Sequence, residues 1–264
     1  MSINYAEKFG FSQKIVKGWQ DEEIFLKGEN NTLIILVPGW SAIPRQFSVL
    51  AKKLNKKGFW VDVIKISGHA TKPEDLYDIN REDWVNDVII SVKKARKMEK
   101  IKKIILVGVS MGGNLCLLAS LRIKVEGIVL IGVPVHLKGH FQAKMVSIFL
   151  PFFKKYMKKT YPNNIVYYPE DSYQYFPTKN IREVLLTIRN SVFLLKKVVA
   201  PILILQTRED FFVTKYSPWI IYKNVSSKIK RMQWIATKKE SHVPRGGEEL
   251  GEVVGTIEKF LRKI

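Results

Sequence analysis

Residues 103–121 read KIILVGVSMGGNLCLLASL. The first seven, Lys103–Val109, form a short apolar run rich in β-branched residues, the pattern of a strand buried on both faces. From Leu115 the chain is again apolar, now with the composition of a buried helix. Between them lies Gly108-Val109-Ser110-Met111-Gly112, a G-x-S-x-G motif. Such a motif places its serine on a sharp strand-to-helix turn with Oγ exposed above the sheet. The flanking residues must be small because the backbone there is strained and the helix packs close to the strand. At the start of the new helix, the Met111 N–H is free to point at an oxyanion. Five residues of this kind arise by chance in unrelated chains, and it is the strand before and the helix after that give the motif its weight.

Outward from that stretch, short apolar runs alternate with amphipathic helical patterns, the signature of a parallel sheet covered by helices. Strands are expected at Thr32–Val37, Trp60–Ile66, Gly127–Ile131, Ile202–Gln206 and Lys230–Ile235. Pro44–Lys57 reads as a helix, with Phe47, Leu50, Ala51 and Leu54 at helical spacing and Gly58 as its stop. Arg81–Met98 reads as another, capped by Asn80 and started by Glu82 and Asp83. Leu250, Val253, Val254, Ile257 and Leu261 make the inner face of a closing helix. From about His136 to Val199 the alternation breaks. FQAKMVSIFLPFFKKYMKK is followed by a Tyr-Pro-rich loop and a helical pattern from Ile181 to Lys197. The fold class expected is therefore α/β, a mostly parallel central sheet flanked by helices, with an inserted cap. Residues 1–135 would be the first part of the core, 136–199 the cap, and 200–264 the second part of the core.

Composition narrows the function. The 264 residues are 46% hydrophobic, enough for a full core. The single cysteine, Cys116, forbids an internal disulfide, and it reads as core on the elbow helix. The N-terminal residues lack the apolar run of a signal peptide, and no apolar stretch reaches membrane-spanning length, so a cytoplasmic protein is expected. A formal net charge of +20 could serve nucleic acid, an anionic membrane or acidic ligands. The lysines are spread along the chain, however, and no basic-aromatic nucleic-acid module stands out. No nucleic-acid partner is expected. There is no P-loop and no dinucleotide G-x-G-x-x-G opening a helix. His136 and His140 have no cluster of further ligands, so no metal and no cofactor are expected.

A serine nucleophile needs a base, and the base an orienting acid. Where a G-x-S-x-G serine follows a strand, the acid and then the histidine come later in the chain. Of four histidines, only His242 follows the late strands, in the loop Glu240-Ser241-His242-Val243. Thr207-Arg208-Glu209-Asp210 follows the strand at Ile202–Gln206 directly; Asp210 is the preferred acid and Glu209 the fallback. A second oxyanion donor belongs on the loop after the first central strand, Val37-Pro38-Gly39-Trp40-Ser41. Gly39 lets the backbone approach the substrate, and the Trp40 N–H is the natural donor.

PGWSAIPRQFSVLAKKLNKKGFWVDVIKISGHATKPEDL, REDWVNDV, GVSMGG, ILILQTREDFFV and ESHVP occur in the order seen in the bacterial carboxylesterase and monoacylglycerol-lipase-like α/β-hydrolases, and the chain resembles that family over most of its length. The likeness excludes the first twenty or so residues and the cap. The resemblance implies hydrolysis of carboxylic esters without metal or organic cofactor, with Ser110 as nucleophile, Asp210 as acid, His242 as base, and Trp40 and Met111 as backbone oxyanion donors. Two positions depart from the pattern. Pro38 stands where the family usually has histidine, which leaves the Trp40 N–H in place. In Ser67-Gly68-His69-Ala70 the last glycine of a G-H-G loop has become alanine, and His69 reads as a structural residue near the site.

In the cap, Met145, Ile148, Phe149, Phe152, Phe153, Tyr173, Phe176, Leu185 and Phe193 offer apolar surface for an acyl pocket, with Phe149, Phe152, Phe176 and Phe193 the chosen substrate-binding candidates. Met145 to Phe153, followed by lysines, could instead lie on a lipid surface. The expected partners are a small-molecule ester and, peripherally, a lipid surface, for a monomer or homodimer. The same triad on an amide, lactone or C–C bond is the rival enzymatic reading, since one fold hosts many chemistries. A non-catalytic lipid-binding protein is the rival outside enzymes.

Overall fold

In the computed structural model, residues 24–137, 139–159, 172–236, 242, 244 and 246–264 are described. In chain order the strands are β1 (Ile24–Leu26), β2 (Thr32–Val37), β3 (Trp60–Val63), β4 (Lys103–Val109), β5 (Gly127–Ile131), β6 (Tyr156–Lys158), β7 (Tyr175–Pro177), β8 (Ile202–Thr207) and β9 (Lys230–Ile235). The helices are α1 (Ser48–Asn55), α2 (Arg81–Arg96), α3 (Met111–Ser120), α4 (His140–Phe153), α5 (Asn180–Phe193), α6 (Ser217–Asn224) and α7 (Gly247–Leu261).

Seven strands form one sheet in the order β1-β3-β2-β4-β5-β8-β9. All neighbours run parallel except β1, which is antiparallel to β3. The near-continuous apolar runs follow from burial on both faces. Leu33, Ile35, Ile104, Leu106, Ile128 and Leu130 meet Trp84, Val88, Leu115 and Leu118 of α2 and α3 on one side. Ile34, Leu36, Ile105, Val107 and Val129 meet Leu50, Leu54, Val253 and Ile257 of α1 and α7 on the other. Helix α2 begins with a complete capping box: the Asn80 side chain accepts from the Glu82 and Asp83 amides, and Asp83 accepts from the Asn80 amide.

Some expected elements are shorter or subdivided. Pro44–Phe47 is a turn of 3-10 helix leading into α1, because Ile43 before the proline is extended and the proline starts a new first turn. The strand expected to reach Ile66 ends at Val63, although the Ile64 amide still donates to Leu36 O (3.2 Å). Sequence periodicity does not signal β1, the β6–β7 hairpin or α6; three-residue strands and an eight-residue helix hold too few side chains to display a period.

Between β5 and β8 the chain leaves the sheet to form α4, the hairpin β6–β7 and α5. This segment is tied to loops at the carboxyl ends of β2 and β3. Ala42 and Ser172 form an isolated antiparallel bridge. The Tyr175 hydroxyl donates to Glu74 Oε1 at 2.8 Å, and Arg81 pairs with Glu183 at 2.9 Å. The Tyr-Pro-rich stretch of this segment, 160–171, lies outside the described residues. Among the described residues, no helix is long and apolar enough to cross a membrane.

Candidate active site

Ser110 occupies the turn between β4 and α3 with φ of 52°, a left-handed conformation for a residue bearing a Cβ. Its amide donates to Ile131 O at 2.9 Å, and its carbonyl accepts from the Gly113 amide at 3.0 Å. The turn is possible because its glycines leave room. A Cβ on Gly112 would lie 2.2 Å from Val37 O and 2.5 Å from Pro38 O, so α3 presses directly on the end of β2.

Asp210, just past β8, is buried and held by hydrogen bonds on both oxygens. Oδ1 receives the Phe212 and Val213 amides at 2.7 and 2.9 Å. Oδ2 receives Gln206 Nε2 at 2.7 Å and pairs with His242 Nδ1 at 2.8 Å. A carboxylate on Nδ1 places the histidine proton there and leaves the Nε2 lone pair as the base. Among the described residues His242 Nε2 is buried and has no hydrogen-bond partner. The imidazole lies over Gly132, where a Cβ would come within 3.1 Å of its Cε1. Gly132 adjoins Ile131, whose carbonyl holds the Ser110 amide, so serine and imidazole converge on one corner of the sheet. The Phe211 and Phe212 rings stand 6.1 and 5.8 Å from the imidazole.

The loop after β2 runs against this corner: a Cβ on Gly39 would lie 3.3 Å from Ser110 Cβ. Beyond Gly39, the Trp40 ring packs on Phe176 with centroids 4.4 Å apart, and its Nε1 is buried without a partner among the described residues. Ser41 is left-handed, with φ of 61°, and its amide donates to His69 Nε2 at 2.7 Å. His69 is itself only 2% exposed, and burial pushes its pKa down to about 4, with nearby Lys159 acting in the same direction. Ala70 sits at φ of 54°, a conformation that glycine adopts without strain. Among the described residues, no three His, Cys, Asp or Glu side chains gather as metal ligands.

Residues 28–239 match the family model described as serine aminopeptidase, S33. The chain belongs to that S33 family. Among curated relatives of this S33 protein is a carboxylesterase of Bacillus subtilis (strain 168), 25% identical over 237 residues, covering 88% of this chain and 92% of that protein. Another is a thermostable monoacylglycerol lipase of Bacillus sp. (strain H-257), 27% identical over 200 residues, covering 75% of this chain and 78% of that protein. A metagenome-derived lipolytic enzyme shares the fold with a TM-score of 0.81 at 22% identity, over 93% of this chain and 98% of that one. A monoglyceride lipase from Saccharomyces cerevisiae shares it with a TM-score of 0.75 at 16% identity, over 91% of each chain. These are α/β-hydrolase folds, and the sheet described above is of that type.

In this S33 protein the Asp210–His242 pair lies against Gly132; Ser110 and Met111 form the turn tied to Ile131; and Gly39, before Trp40, lies against Ser110. Phe176 joins them through Trp40. Phe149, Phe152 and Phe193 instead project into solvent, 53%, 81% and 85% exposed. Sequence reasoning missed Gln206 as a partner of Asp210, although a glutamine in the apolar strand ILILQT was a visible signal of a buried polar contact. It also missed what His69 holds, because nothing in the sequence links His69 to Ser41.

Proposed function

We propose that the protein is a serine carboxylesterase that hydrolyses esters of hydrophobic acyl chains through an acyl-enzyme. The observation that carries this reading is the Asp210–His242 pair with a buried, unpartnered Nε2 at the corner where Ser110 is held in a strained turn. In the first half-reaction His242 Nε2 takes the Ser110 proton and Oγ attacks the ester carbonyl. The Trp40 and Met111 amides receive the charge that develops on the carbonyl oxygen. Protonated His242 then delivers its proton to the departing alcohol. In the second half-reaction His242 draws a proton from water, which attacks the acyl-enzyme and returns Ser110. Asp210 remains a hydrogen-bond acceptor throughout: it orients the imidazole and balances the charge that forms on it. No metal or organic cofactor enters this scheme.

The family description names an aminopeptidase, whereas the curated relatives are named for esters and monoacylglycerols. The names of those relatives, which match over most of their length, favour the ester.

The segment 136–199 serves as a cap in this proposal, with Phe176 beside Trp40 forming one wall of the acyl site. The exposed face of α4 carries Phe149, Phe152 and Phe153 and is followed by the exposed Lys154, Lys155 and Lys158. This arrangement suits peripheral contact with an anionic lipid surface. A cytoplasmic location is part of the same proposal, since the one thiol is buried and nothing calls for an oxidising compartment.

The test is hydrolysis of p-nitrophenyl esters of graded acyl length, with Ser110→Ala in parallel. The wild type should show an optimum chain length, and the variant should lose on the order of 10⁴- to 10⁶-fold in kcat. Comparable rates in the two proteins would remove Ser110 from its role. A folded wild type that cleaves p-nitroanilides but no esters would move the proposal to amides.

A further inference from the structure

One densely hydrogen-bonded residue of the site region lies outside the triad. Ser41 adopts a left-handed conformation, which a serine does not hold unaided. Each of its polar groups is engaged. Its amide donates to His69 Nε2 at 2.7 Å, its carbonyl accepts from the Tyr173 amide at 2.9 Å, and its hydroxyl donates to Trp40 O at 2.5 Å and receives Lys159 Nζ. The peptide unit between Trp40 and Ser41 is therefore fixed at both its carbonyl and its N–H. The preceding peptide, which bears the Trp40 N–H, is held at its carbonyl, because the Ala42 amide donates to Gly39 O at 3.2 Å; with the units on both sides of Trp40 tied, the direction of the Trp40 N–H is set.

His69 is equipped for this contact. Its Nδ1 lies 3.0 Å from Ser67 O, an acceptor, so the ring proton sits on Nδ1 and the Nε2 lone pair faces Ser41. Ser67 is locked in turn, because its amide donates to Asp87 Oδ2 at 2.6 Å and its carbonyl also accepts from Trp84 Nε1 at 3.1 Å. The ring stands edge-on to Trp84 and stacked on Tyr173, at 6.0 and 6.3 Å. A protonated His69 would turn a second N–H against the Ser41 N–H, and burial keeps the ring neutral near pH 7.

We propose that His69 is a positioning residue for the reaction: its Nε2 holds the Ser41 N–H and so aims the Trp40 N–H at the oxyanion. The inference rests on the proposed roles of Ser110 and Trp40. It distinguishes His69 from a residue that merely fills space, because only one of its two nitrogens should matter for turnover.

Two variants separate those nitrogens. His69→Asn keeps an amide near Nδ1 for Ser67 O but is too short to reach Ser41. His69→Gln carries a carbonyl to about the place of Nε2. With p-nitrophenyl butyrate, kcat of the Asn variant should fall on the order of 10²-fold while KM stays within about threefold, the mark of a contact felt in the transition state. The Gln variant should retain kcat to within about fivefold. Affinity for an alkyl trifluoromethyl ketone, whose serine adduct places an oxyanion in the hole, should fall with kcat in the Asn variant. Melting temperatures of both variants are measured first, and rates are taken well below the lower one. If Ser110→Ala retains activity, the esterase reading fails whatever His69 does. If Ser110→Ala is inactive and His69→Asn keeps wild-type kcat and ketone affinity, the positioning role is overturned while the esterase stands. Equal losses in Asn and Gln also overturn it. Long-range ¹⁵N–¹H spectra of the wild type test the same role without any substitution: Nδ1 must carry the proton and Nε2 must be bare, and the opposite tautomer rules the role out.

Discussion

Ser110 combines a Cβ with a φ of 52°, which costs an L-residue on the order of 1–3 kcal/mol. The hydrogen bond to Ile131 and the packing of α3 on β2 hold it there. Ser110→Gly should consequently destroy activity yet stabilise the protein by about 1 kcal/mol, part of the relief being offset by the added freedom of the unfolded glycine. Calorimetry should show Tm rising by about 2–4 °C relative to Ser110→Ala, which retains the Cβ and the strain. A melting point for Ser110→Gly at or below that of Ser110→Ala would show that the turn stores no such strain. At this scale the sequence exposed the residues of the proposed triad, whose chemistry has a required order along the chain: Ser110, then Asp210, then His242. It did not expose Gln206 or His69, whose roles depend on which atoms they happen to face.

The elements carry the site through close backbone approach. Helix α3 lies against the end of β2 with no space for a methyl group at Gly112, where a Cβ would meet two backbone carbonyls. Neither carbonyl can move without shifting Pro38 and the Gly39–Trp40 turn. Gly112→Ala should therefore cost on the order of 1–3 kcal/mol in urea unfolding and lower kcat as well, because the strain is relieved by displacing the loop proposed to supply the Trp40 oxyanion donor. A variant with wild-type stability and turnover would contradict this packing. Strand β4 and helix α3 were legible as apolar runs on either side of the G-x-S-x-G motif, and Asn80 as a helix cap from its residue type; the reciprocal bond to Asp83 was not. Strand β1, the hairpin β6–β7 and helix α6 were not, because their form is imposed by neighbours. Ile24–Leu26 becomes a strand by pairing with Val61–Val63, and pairing between distant segments leaves little trace in local composition.

For the molecule as a whole, the net charge of +20 and the exposed phenylalanines of α4 belong to one argument about lipid. Charge attraction is screened by salt, whereas insertion of aromatic rings is not. Binding to vesicles of phosphatidylglycerol and phosphatidylcholine should weaken when salt rises from about 0.05 to about 0.5 M. Phe153, 86% exposed, should contribute an additional part that salt leaves unchanged. Phe153→Ser should reduce sedimentation with vesicles at both salt concentrations and leave hydrolysis of a soluble short-chain ester as it was. Vesicle binding that is insensitive to this substitution and fully abolished by salt would reduce the contact to charge alone.

The amino-acid sequence by itself determined the parallel sheet, the strand–turn–helix at Ser110 and the order of the proposed triad, because these are written in local periodicity and in the succession of loops along one chain. Only the tertiary structure decided that His69 meets Ser41, that Gln206 braces Asp210, and that Phe176 reaches Trp40 while Phe149, Phe152 and Phe193 face outward. Each of those outcomes depends on the direction in which a side chain leaves its backbone and on what another segment brings to the same place. Apolar side chains announce burial but not the neighbour they are buried against. A polar side chain in a loop announces neither, until the fold supplies the partner.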